Sequence, residues 1–480
     1  MCALKRMIFS TLKYHERPLF CNLLPKMTKK FVSGKSYLFF SYICPEINKR
    51  SMEKKHFIKL QDLRCSSSKG CRILLVLLFF LGSAPVVLAQ HAPRYKNPTG
   101  KEFPIMGWHS IIGKENLTRE RFEEMRDCGF NLSFSTLYSD EDIAQALDAC
   151  RGTGVRQMIH SQAGRADTMA LRFRNHPMTA GWFLVDEPNT SGFPSLRAFR
   201  DKILSADTTH ILYLNLLPSE VDPAALLSKD YEDYVRRFAE EVDLGLISYD
   251  HYPVIEVNGE VSLKVNYFEN LEIVHRVARS VGQPFWAFVL STAHAFYPVP
   301  TAAHLRLQAF CDLAYGAQGI QYFTYWGPPT DTWDFHAAPI DLDGTRTPTY
   351  DLVREVNRQV QCFASVFLGC DVTEVWHTGK RIPQGTQPLP QAADGSALLP
   401  APFLRIDTDG EGLLLSHVTK GKHEYLMVVN RDVNNAQQVT VTLSKRIRRL
   451  VVKDKLKSMK APIREIHNLA AGDCLLYKIR

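Results

Sequence analysis

The sequence predicts an α/β protein in which a (β/α)8 barrel is followed by an antiparallel β-sandwich. Two observations predict this fold. Eight short β-rich runs start about 25 to 40 residues apart, which is the length of a strand, a helix and two loops. Beyond about residue 371, short β-rich runs follow one another with turns rich in Gly and Asn between them, and no helical stripe separates them.

The eight β-rich runs are interpreted as the strands of one parallel sheet. Strands that alternate with helices run parallel, and eight such units favour a closed barrel over an open sheet. The predicted strands cover residues 104–107, 130–135, 155–161, 180–185, 211–216, 244–249, 284–290 and 319–325.

Segments between and after these strands show helical periodicity. Apolar side chains at spacings of three and four residues fill 307–314, and Gly316 follows as a C-terminal stop. A second stripe fills 353–363, with Pro348 near the predicted helix start. These stripes predict helices before and after the eighth strand.

The C-terminal part is predicted to be a separate β-sandwich. We place the boundary so that residues 90–370 form the barrel and residues 371–480 form the sandwich. A Pro-, Ala- and Gly-rich stretch up to residue 402 is interpreted as a loop. The predicted strands of the sandwich are residues 413–417, 425–430, 438–443, 449–453 and 474–479.

The distribution of charge argues against a nucleic-acid partner. The whole chain has a net charge of +8, but residues 1–90 alone have +12 and residues 91–480 have −4. A mildly acidic body does not attract a polyanion. The sequence also lacks a GxGxxG nucleotide-binding motif, a Walker loop and an HExxH zinc motif.

The basic N-terminal segment has the pattern of a secretory signal peptide. Lys69 and Arg72 precede nine apolar residues, 73–81, and the small-residue exit ends at Ala89. A run of nine is shorter than the ~18 residues of a membrane span, so we expect no transmembrane helix in the mature protein. We assign residues 52–89 to the signal peptide, cleaved after Ala89, and residues 1–51 to a mis-assigned translation start or a disordered extension. The mature protein is therefore predicted to be secreted or periplasmic.

The cysteines give little further information. Six of the 11 lie beyond the predicted signal peptide, and none of them forms a CxxC pair, which argues against zinc-ribbon or thioredoxin chemistry. Buried free thiols are the ordinary expectation for such residues. Bridges between Cys128 and Cys150 or between Cys362 and Cys370 stay open alternatives.

The carboxyl ends of the predicted strands carry the candidate site. In a parallel barrel these ends share one mouth, and here they hold aromatic, amide, histidine and carboxylate side chains with few cations. Sugars suit this mixture, because their C–H faces stack on Trp or Tyr while their hydroxyls need polar partners. A phosphate would need Arg, Lys or a Gly-rich helix start. The candidate substrate-binding residues are Trp108, His109, His160, Asp186, Asn215, Tyr249, His251, His294, Tyr325 and Trp326.

The most specific motif is Gly-Trp-Phe-Leu-Val-Asp-Glu-Pro-Asn at residues 181–189, which closes the fourth strand. Pro188 cannot donate to a ladder, so it ends the strand and keeps Glu187 at the mouth. A solvated turn is the alternative interpretation. The motif resembles the clan A glycoside hydrolases, (β/α)8 barrels whose fourth strand ends in Asn-Glu-Pro. The resemblance implies a glycosidase in which Glu187 donates a proton to the leaving glycosidic oxygen.

The resemblance extends over residues 100–480. Residues 244–253 are similar to the sixth strand of β-galactosidase-type members, and residues 319–327 are similar to the eighth, where a Trp forms the floor of the sugar site. This similarity implies that Trp326 has that role. Residues 343–360 resemble the segment that follows in those enzymes, and residues 469–479 resemble the last strand of their C-terminal sandwich.

Two positions depart from the family pattern. Asp186 stands where the family has an Asn that binds the sugar 2-hydroxyl; an Asp accepts the same hydrogen bond but adds a charge. The nucleophilic Glu of the family closes the seventh strand, yet residues 284–294 contain no carboxylate, and Val289 falls about at its position. A retaining double displacement, with carboxyl groups about 5–5.5 Å apart, is therefore not implied.

Several alternatives follow from the missing nucleophile. Asp250 is the candidate base toward water in an inverting reaction, which needs a separation of about 6.5–9.5 Å; a structural acceptor for His251 or Tyr252 is the equal alternative. Assistance by a group of the substrate and a catalytically inactive glycan-binding relative also stay open. A zinc hydrolase that uses the four mouth histidines with Asp186 or Asp250 is a different class, although no HxH pair lies on the first strand.

The retained Glu187 motif favours an active glycoside hydrolase that needs no cofactor. We expect a carbohydrate substrate, with Glu187 and Asp250 as the catalytic residues. The sugar, the linkage, exo or endo action and the oligomeric state are not predicted.

Overall fold

The computed structural model describes residues 95–330 and 332–480. The predicted signal peptide and the extension before it lie outside the described residues. Eight strands of the described chain form one parallel sheet in the spatial order β5-β4-β3-β2-β1-β10-β9-β6. The strands are β1 (Ile105–Trp108), β2 (Leu132–Phe134), β3 (Arg156–His160), β4 (Thr179–Asp186), β5 (Ile211–Asn215), β6 (Ile247–Tyr249), β9 (Phe285–Leu290) and β10 (Ile320–Phe323).

The two outer strands of this sheet meet and close it into a barrel. Leu216, directly after β5, forms a parallel bridge with Tyr249 of β6. The Leu216 N–H donates to the carbonyl of Ser248 over 2.8 Å. Closure leaves no free edge in the ring. The predicted (β/α)8 barrel is confirmed, and each strand lies within about two or three residues of the predicted run.

Nine helices follow the strands of the described barrel, at least one after each. Side-chain caps explain several of their starts: Thr118, Ser139, Thr301 and Thr347 each accept a hydrogen bond from a backbone N–H of the first turn. The helices are α1 (Arg119–Asp127), α2 (Asp140–Ala149), α3 (Ala166–Phe173), α4 (Phe193–Leu204), α5 (Pro223–Leu226), α6 (Tyr231–Arg237), α7 (Tyr267–Val281), α8 (Ala302–Ala314) and α9 (Pro348–Phe367).

The inside of the barrel is filled by large side chains from alternate strand positions. Strand β9 contributes Trp286 and Phe288, so Phe285, Ala287 and Val289 face the helices. This alternation decides which residues near the strand ends reach the mouth. The interior cluster is Met106, Trp108, Leu132, Phe134, Met158, Ala180, Phe183, Ile211, Tyr213, Leu246, Trp286 and Phe288.

A two-stranded hairpin stands between β6 and α7, and the sequence analysis did not predict it. Its strands are β7 (Val254–Val257) and β8 (Glu260–Leu263), paired antiparallel. Val254 is the one buried residue of its two strands, so the hairpin lacks the buried apolar face that indicates a half-buried strand. The Glu256 N–H donates to the carbonyl of Phe296 over 2.8 Å, which attaches the hairpin to the loop after β9.

The C-terminal part is an antiparallel β-sandwich, as predicted. A six-stranded sheet, β11-β13-β14-β19-β16-β17, packs with a three-stranded sheet, β12-β15-β18, around an apolar core that includes Leu413, Leu426 and Val441. Its strands are β11 (Asp371–His377), β12 (Phe403–Thr408), β13 (Leu413–Lys420), β14 (His423–Asn430), β15 (Gln437–Leu443), β16 (Arg448–Val452), β17 (Leu456–Lys460), β18 (Arg464–Leu469) and β19 (Cys474–Lys478).

Direct hydrogen bonds join the sandwich to the barrel. The Ser416 hydroxyl donates to the carbonyl of Ala314 over 2.6 Å, and the Tyr315 hydroxyl lies 3.0 Å from Nε2 of His377. All four residues are buried. The six cysteines beyond residue 95 are free thiols, so neither of the two bridges left open by the sequence forms. Among the described residues, no helix is long and apolar enough to cross a membrane.

Candidate active site

Asp186 and Glu187 lie side by side at the carboxyl end of β4. Strand β4 gains one residue relative to β5 between Phe183 and Asp186, and this bulge brings Asp186 opposite Asn215. Glu187 follows with a left-handed backbone, φ 49°, and its N–H donates to the carbonyl of Asn215 over 3.0 Å. A left-handed residue with a Cβ costs on the order of 1 kcal/mol or more, and such positions gather at functional sites. His109, at the end of β1, shares this conformation with φ 52°.

A buried chain of polar side chains supports Asp186 from inside the barrel. Asn215 Nδ2 donates to Asp186 Oδ1 over 3.2 Å, and Asn215 Oδ1 accepts from the hydroxyl of Ser248 over 2.8 Å. The Tyr213 hydroxyl lies 2.6 Å from the same amide oxygen, and Gln321 Nε2 donates to Ser248 over 2.8 Å. The hydroxyl groups of Ser248 and Tyr213 orient the amide of Asn215, and the oriented amide holds Asp186 in one place.

Asp250 lies directly after β6, on the inward face that it shares with Ser248. Its N–H reaches the carbonyl of Leu216 over 3.4 Å. Its Oδ2 accepts from the Tyr252 hydroxyl over 3.3 Å. Its Oδ1 is buried and meets no hydrogen-bond donor among the described residues. A buried carboxylate oxygen without a donor is costly, so a hydroxyl group that reached this oxygen would satisfy it.

Three carboxyl groups at the mouth have a raised pKa. Burial raises the pKa of Glu187 first, and the charges of Asp186 and Glu220 raise it further. Burial and the charges of Glu187 and Asp186 raise the pKa of Asp250 well above the ordinary aspartate value. Burial raises the pKa of Asp186 too, against the opposing hydrogen bond from Asn215. Solvent still reaches Asp186 and Glu187, so the desolvation is partial, but the group as a whole holds a proton more tightly than separate carboxyls do.

The raised pKa of Asp250 predicts that the Asp250→Asn variant is more stable than the wild type at high pH. A folded-state pKa above the unfolded one means that the folded chain binds more protons, so wild-type stability falls as pH rises above the ordinary aspartate value. We expect the melting temperature of Asp250→Asn to exceed that of the wild type by on the order of 1–3 °C near pH 8, and to match it near pH 4. Thermal unfolding followed by circular dichroism measures both.

Glu256→Gln is the control for this stability measurement. Glu256 is an exposed carboxylate on hairpin strand β7, so its neutralisation should leave the difference between the two pH values unchanged. The expected direction would be contradicted if the melting temperature of Asp250→Asn differed from that of the wild type by the same amount near pH 8 and near pH 4.

Aromatic side chains form the wall below the carboxyl groups. Trp108 packs its ring against Phe134, Phe183, Phe288 and Phe323, with centroid separations of 5.1 to 6.3 Å. Its indole Nε1 is buried and has no hydrogen-bond partner among the described residues. The indole N–H would gain a hydrogen bond with a polar atom that reached it.

Three of the predicted mouth histidines lie at this wall. His109 packs on Trp108 at 4.6 Å, His160 on Phe183 at 5.8 Å and His294 on Phe335 at 4.5 Å. Burial lowers the pKa of His109 and of His294 to about 4 and lowers the pKa of His160 as well. Each ring is therefore neutral near pH 7 and can both donate and accept a hydrogen bond.

His251 takes a different place. It is buried against Tyr267 of α7, and its Nε2 lies 3.3 Å from Oδ1 of Asn266. Burial lowers its pKa to about 4. The structure thus puts His251 behind the mouth rather than inside it.

Three predicted sugar-binding residues point away from the mouth, which corrects the sequence analysis. Tyr249 neighbours Ser248 on β6 and so faces the helices, where it packs on Phe285 at 6.4 Å. Tyr325 packs on Phe130 at 5.1 Å in the same outer layer. Trp326 is 2% exposed, lies beneath the guanidinium of Arg121 at 4.9 Å and is closed off from the barrel mouth.

Phe323 occupies the mouth position that the sequence analysis gave to Trp326. It is the last residue of β10, it is only half-buried, and its ring lies 5.8 Å from Tyr252 and 6.2 Å from His294. The signal was present in the sequence, since Phe323 lies two residues beyond Gln321 and alternation places both inside.

Strand β9 carries no carboxylate on either face. Its sequence is Phe-Trp-Ala-Phe-Val-Leu, and Trp286 and Phe288 point inward. By alternation the residue at the mouth is Leu290, whereas Val289, which the sequence analysis aligned with the family nucleophile, faces the helices. The absence of a carboxylate at this strand end therefore holds with either alignment.

An ion pair that the sequence analysis did not single out completes the mouth. Glu220, in the loop after β5, lies 2.9 Å from the ammonium of Lys264 at the end of the hairpin. Lys264 also donates to the Tyr297 hydroxyl over 2.9 Å. In residues 95–330 and 332–480, no group of three or more His, Cys, Asp or Glu side chains is arranged to hold a metal ion.

A closed (β/α)8 barrel with Glu187 at the end of its fourth strand, followed by a β-sandwich, is the arrangement that the resemblance to the clan A glycoside hydrolases implies. A family model described as β-galactosidase, of glycoside hydrolase family 42, matches residues 225–363, less than a third of the chain. This match and the fold confirm the predicted resemblance. No curated protein matches the chain.

Solved structures share the fold at low sequence identity. A catalytic mutant of a family 42 β-galactosidase from G. stearothermophilus is 11% identical with a TM-score of 0.55, over 81% of this chain and all of that one. A β-galactosidase from Bacillus circulans sp. alkalophilus is 10% identical with a TM-score of 0.52, over 79% of this chain and 99% of the other. Two further β-galactosidases, from Marinomonas ef1 and Halorubrum lacusprofundi, are matched over only 60% and 59% of their own length.

Proposed function

We propose that the chain is an exported glycoside hydrolase that cleaves O-glycosidic bonds with Glu187 as general acid and Asp250 as general base. The observation that carries the proposal is the pair of acidic residues at the end of β4, of which Glu187 has a strained backbone and a raised pKa. The name of the matched family makes β-galactosides the first substrates to test. Export rests on the signal-peptide pattern that ends at Ala89.

The two carboxyl groups differ in the hydrogen bonds they receive. Asp250 accepts from the Tyr252 hydroxyl, while no donor among the described residues reaches the carboxyl group of Glu187. Because a donor stabilises the ionised form, we assign the charge to Asp250 and the proton to Glu187. This is the division of roles that a general acid and a general base need.

The reaction then proceeds in one step. Glu187 gives its proton to the glycosidic oxygen as the bond from that oxygen to the anomeric carbon breaks. A water on the opposite side of the sugar forms the new bond to the anomeric carbon, and Asp250 takes the proton that this water releases. The product is a free sugar with inverted anomeric configuration, and exchange with solvent returns both carboxyl groups to their starting states.

Asp186, Asn215 and the aromatic wall would hold the sugar. Asp186 Oδ2 is left free by the single bond from Asn215, so it can accept from a sugar hydroxyl. The ring of Phe323 offers a stacking face, and the neutral imidazoles of His109 and His294 offer donors and acceptors to hydroxyl groups.

Anomer-resolved NMR of a hydrolysis reaction tests the proposal. The full chain is incubated with a panel of nitrophenyl glycosides, β-galactosides first, and ¹H spectra are taken before the product mutarotates. We expect hydrolysis of at least one glycoside with an inverted first product. A first product of retained configuration would contradict water as the direct nucleophile.

A glycan-binding protein without activity is the second candidate, and the missing carboxylate on β9 favours it. This candidate predicts saturable binding of sugars in calorimetry together with no hydrolysis of any glycoside in the panel. It also predicts that Glu187→Gln binds sugars as tightly as the wild type does, since sugar binding without hydrolysis does not use the proton on Glu187.

A further inference from the structure

A strongly basic hairpin lies at the edge of the six-stranded sheet of the sandwich. Residues 445–464, which include β16 and β17, carry nine Lys or Arg and one Asp, a net charge of +8. Residues 91–480 as a whole have a net charge of −4, so the average hides a local excess of positive charge. Four of the five residues of β17 are exposed. The hairpin therefore presents its positive charge to solvent.

Three cations lie side by side on neighbouring strands of this sheet. Arg448 of β16 pairs with Lys460 of β17 on one side and with Lys478 of β19 on the other. Residues that pair directly across strands share a face, and the strands lie about 4.8 Å apart. We call these three side chains the basic row. Tyr477 belongs to the core between the two sheets, so by alternation the basic row faces away from that core.

No carboxylate of the described chain neutralises the basic row. In residues 95–330 and 332–480, no ion pair joins a carboxylate to any of its three members, and the nearest candidate in the sheet, Glu424 on β14, is paired with Arg480 instead. Nε of Arg448 donates to the Ser458 hydroxyl over 2.8 Å, which holds the guanidinium over β17. Like charges directly opposite each other destabilise a sheet, so the row lacks its counter-charge.

Protection of the sheet edge explains only one member of the basic row. Lysines on an edge strand discourage pairing with other chains, and this accounts for Lys460 on β17. Arg448 and Lys478 lie on β16 and β19, and both strands have a partner on each side. These two cations therefore repel their neighbours without protecting an edge. A partner that carries a row of negative charges would remove this repulsion.

We propose that the basic row docks an anionic polysaccharide of the polyuronate class, in which every sugar residue carries a carboxylate. The spacing of the strands is close to the length of one pyranose residue in an extended chain, so successive carboxylates can meet successive cations. A lipid surface suits the row less well, because Met459, the exposed apolar residue of β17, points to the opposite face. The inference goes beyond the proposed function and does not depend on it.

Calorimetry of the full chain with polygalacturonate tests this inference. The row variant, Arg448→Gln/Lys460→Gln/Lys478→Gln, removes the three charges and keeps long polar side chains. We expect the wild type to bind polygalacturonate and the row variant to bind it at least about tenfold more weakly, because three exposed ion pairs are lost. The affinity of the wild type should also fall as salt is added, since exposed charges are screened.

Lys101→Gln/Arg197→Gln/Lys380→Gln is the matched control, since it removes the same charge from exposed positions outside the hairpin and β19. Its affinity for polygalacturonate should equal that of the wild type. Thermal unfolding checks the fold of both variants. The row variant should melt no lower than the wild type, because its changes remove repulsion between neighbouring strands. A lower melting temperature would contradict that repulsion and with it the inference.

Dextran, which is neutral, and vesicles of phosphatidylglycerol separate the polyuronate from other partners. We expect the wild type to bind neither of them as tightly as polygalacturonate. Equal affinities of the wild type and the row variant for polygalacturonate would overturn the inference, and so would equal binding of dextran. Binding of the vesicles without binding of polygalacturonate would overturn it too and assign the row to a lipid surface. None of these measurements uses hydrolysis, so their outcome leaves the proposed function untouched.

Discussion

The Glu187→Gln variant is expected to hydrolyse glycosides with ordinary alcohol leaving groups 10²- to 10⁴-fold more slowly, about the usual contribution of general acid catalysis. The amide keeps the volume of the side chain and its left-handed backbone, so the barrel mouth should stay intact. What it removes is the proton that the glycosidic oxygen needs as its bond to the anomeric carbon breaks. The measurement is kcat/KM on one alkyl glycoside across the pH range.

The leaving group distinguishes a proton donor from a binding residue. A dinitrophenyl glycoside releases a phenolate that is stable without a proton, so Glu187→Gln should hydrolyse it at nearly the wild-type rate. A residue that only binds the sugar would slow both substrates alike. The same variant should also lose the alkaline limb of the pH profile, because the group that titrates there is gone.

Glu260→Gln serves as the control, because it neutralises an exposed carboxylate on hairpin strand β8, outside the mouth. Equal rates for the wild type and Glu187→Gln on the alkyl glycoside would remove Glu187 from the mechanism. Equal slowing on both glycosides would assign it to binding instead.

Alternation along the strands explains which site residues the sequence could predict. Glu187 and Asp186 follow from the motif, because Pro188 fixes the end of β4. Tyr249 and Trp326 do not, since a shift of one residue in a strand turns a side chain from the mouth to the helices. The β-rich run 319–325 gave no sign that β10 ends at Phe323, so Trp326 was placed inside when it lies in the loop beyond.

Glu220 marks a second limit of prediction from one sequence. It stands in a loop with no motif, and its partner Lys264 is 44 residues away. Only the closure of the barrel between β5 and β6 and the hairpin after β6 bring the two together. Charged pairs of this kind have no local signature, whereas the periodic spacing of strands and helices predicted the barrel itself.

The sandwich shows the same limit in its strands. The predicted strands include those with long apolar runs, such as Leu413–Lys420 and His423–Asn430. Strand β17 (Leu456–Lys460) was missed because most of its residues are exposed and polar, as befits the edge of its sheet. Lysine-rich edge strands resist pairing with other chains, and that protection removes the pattern by which a strand is recognised.

The Asp250→Asn variant is expected to lose 10²- to 10⁴-fold in kcat on all glycosides, whatever their leaving group. Its amide cannot take the proton from the attacking water, and a better leaving group does not remove the need for a base. The variant therefore contrasts with Glu187→Gln, which recovers on the dinitrophenyl glycoside. The measurement is kcat on the alkyl and dinitrophenyl glycosides side by side.

Azide rescue shows on which side of the sugar Asp250 acts. In Asp250→Ala the shortened side chain leaves room for the azide anion, which needs no base and can bond directly to the anomeric carbon as the leaving group departs. We expect a glycosyl azide of inverted configuration and a partial return of the rate. Control reactions use the wild type with azide, where water activated by Asp250 already reacts and no azide product should accumulate.

The complementary variant decides between water and a carboxylate as the first nucleophile. In Glu187→Ala, with a dinitrophenyl substrate, a covalent glycosyl intermediate on Asp250 would be trapped by azide as a product of retained configuration. A single displacement by water has no such intermediate, so no azide of retained configuration should form. Its appearance would make Asp250 the nucleophile of a double displacement, carried by β6 rather than by the strand that lacks a carboxylate.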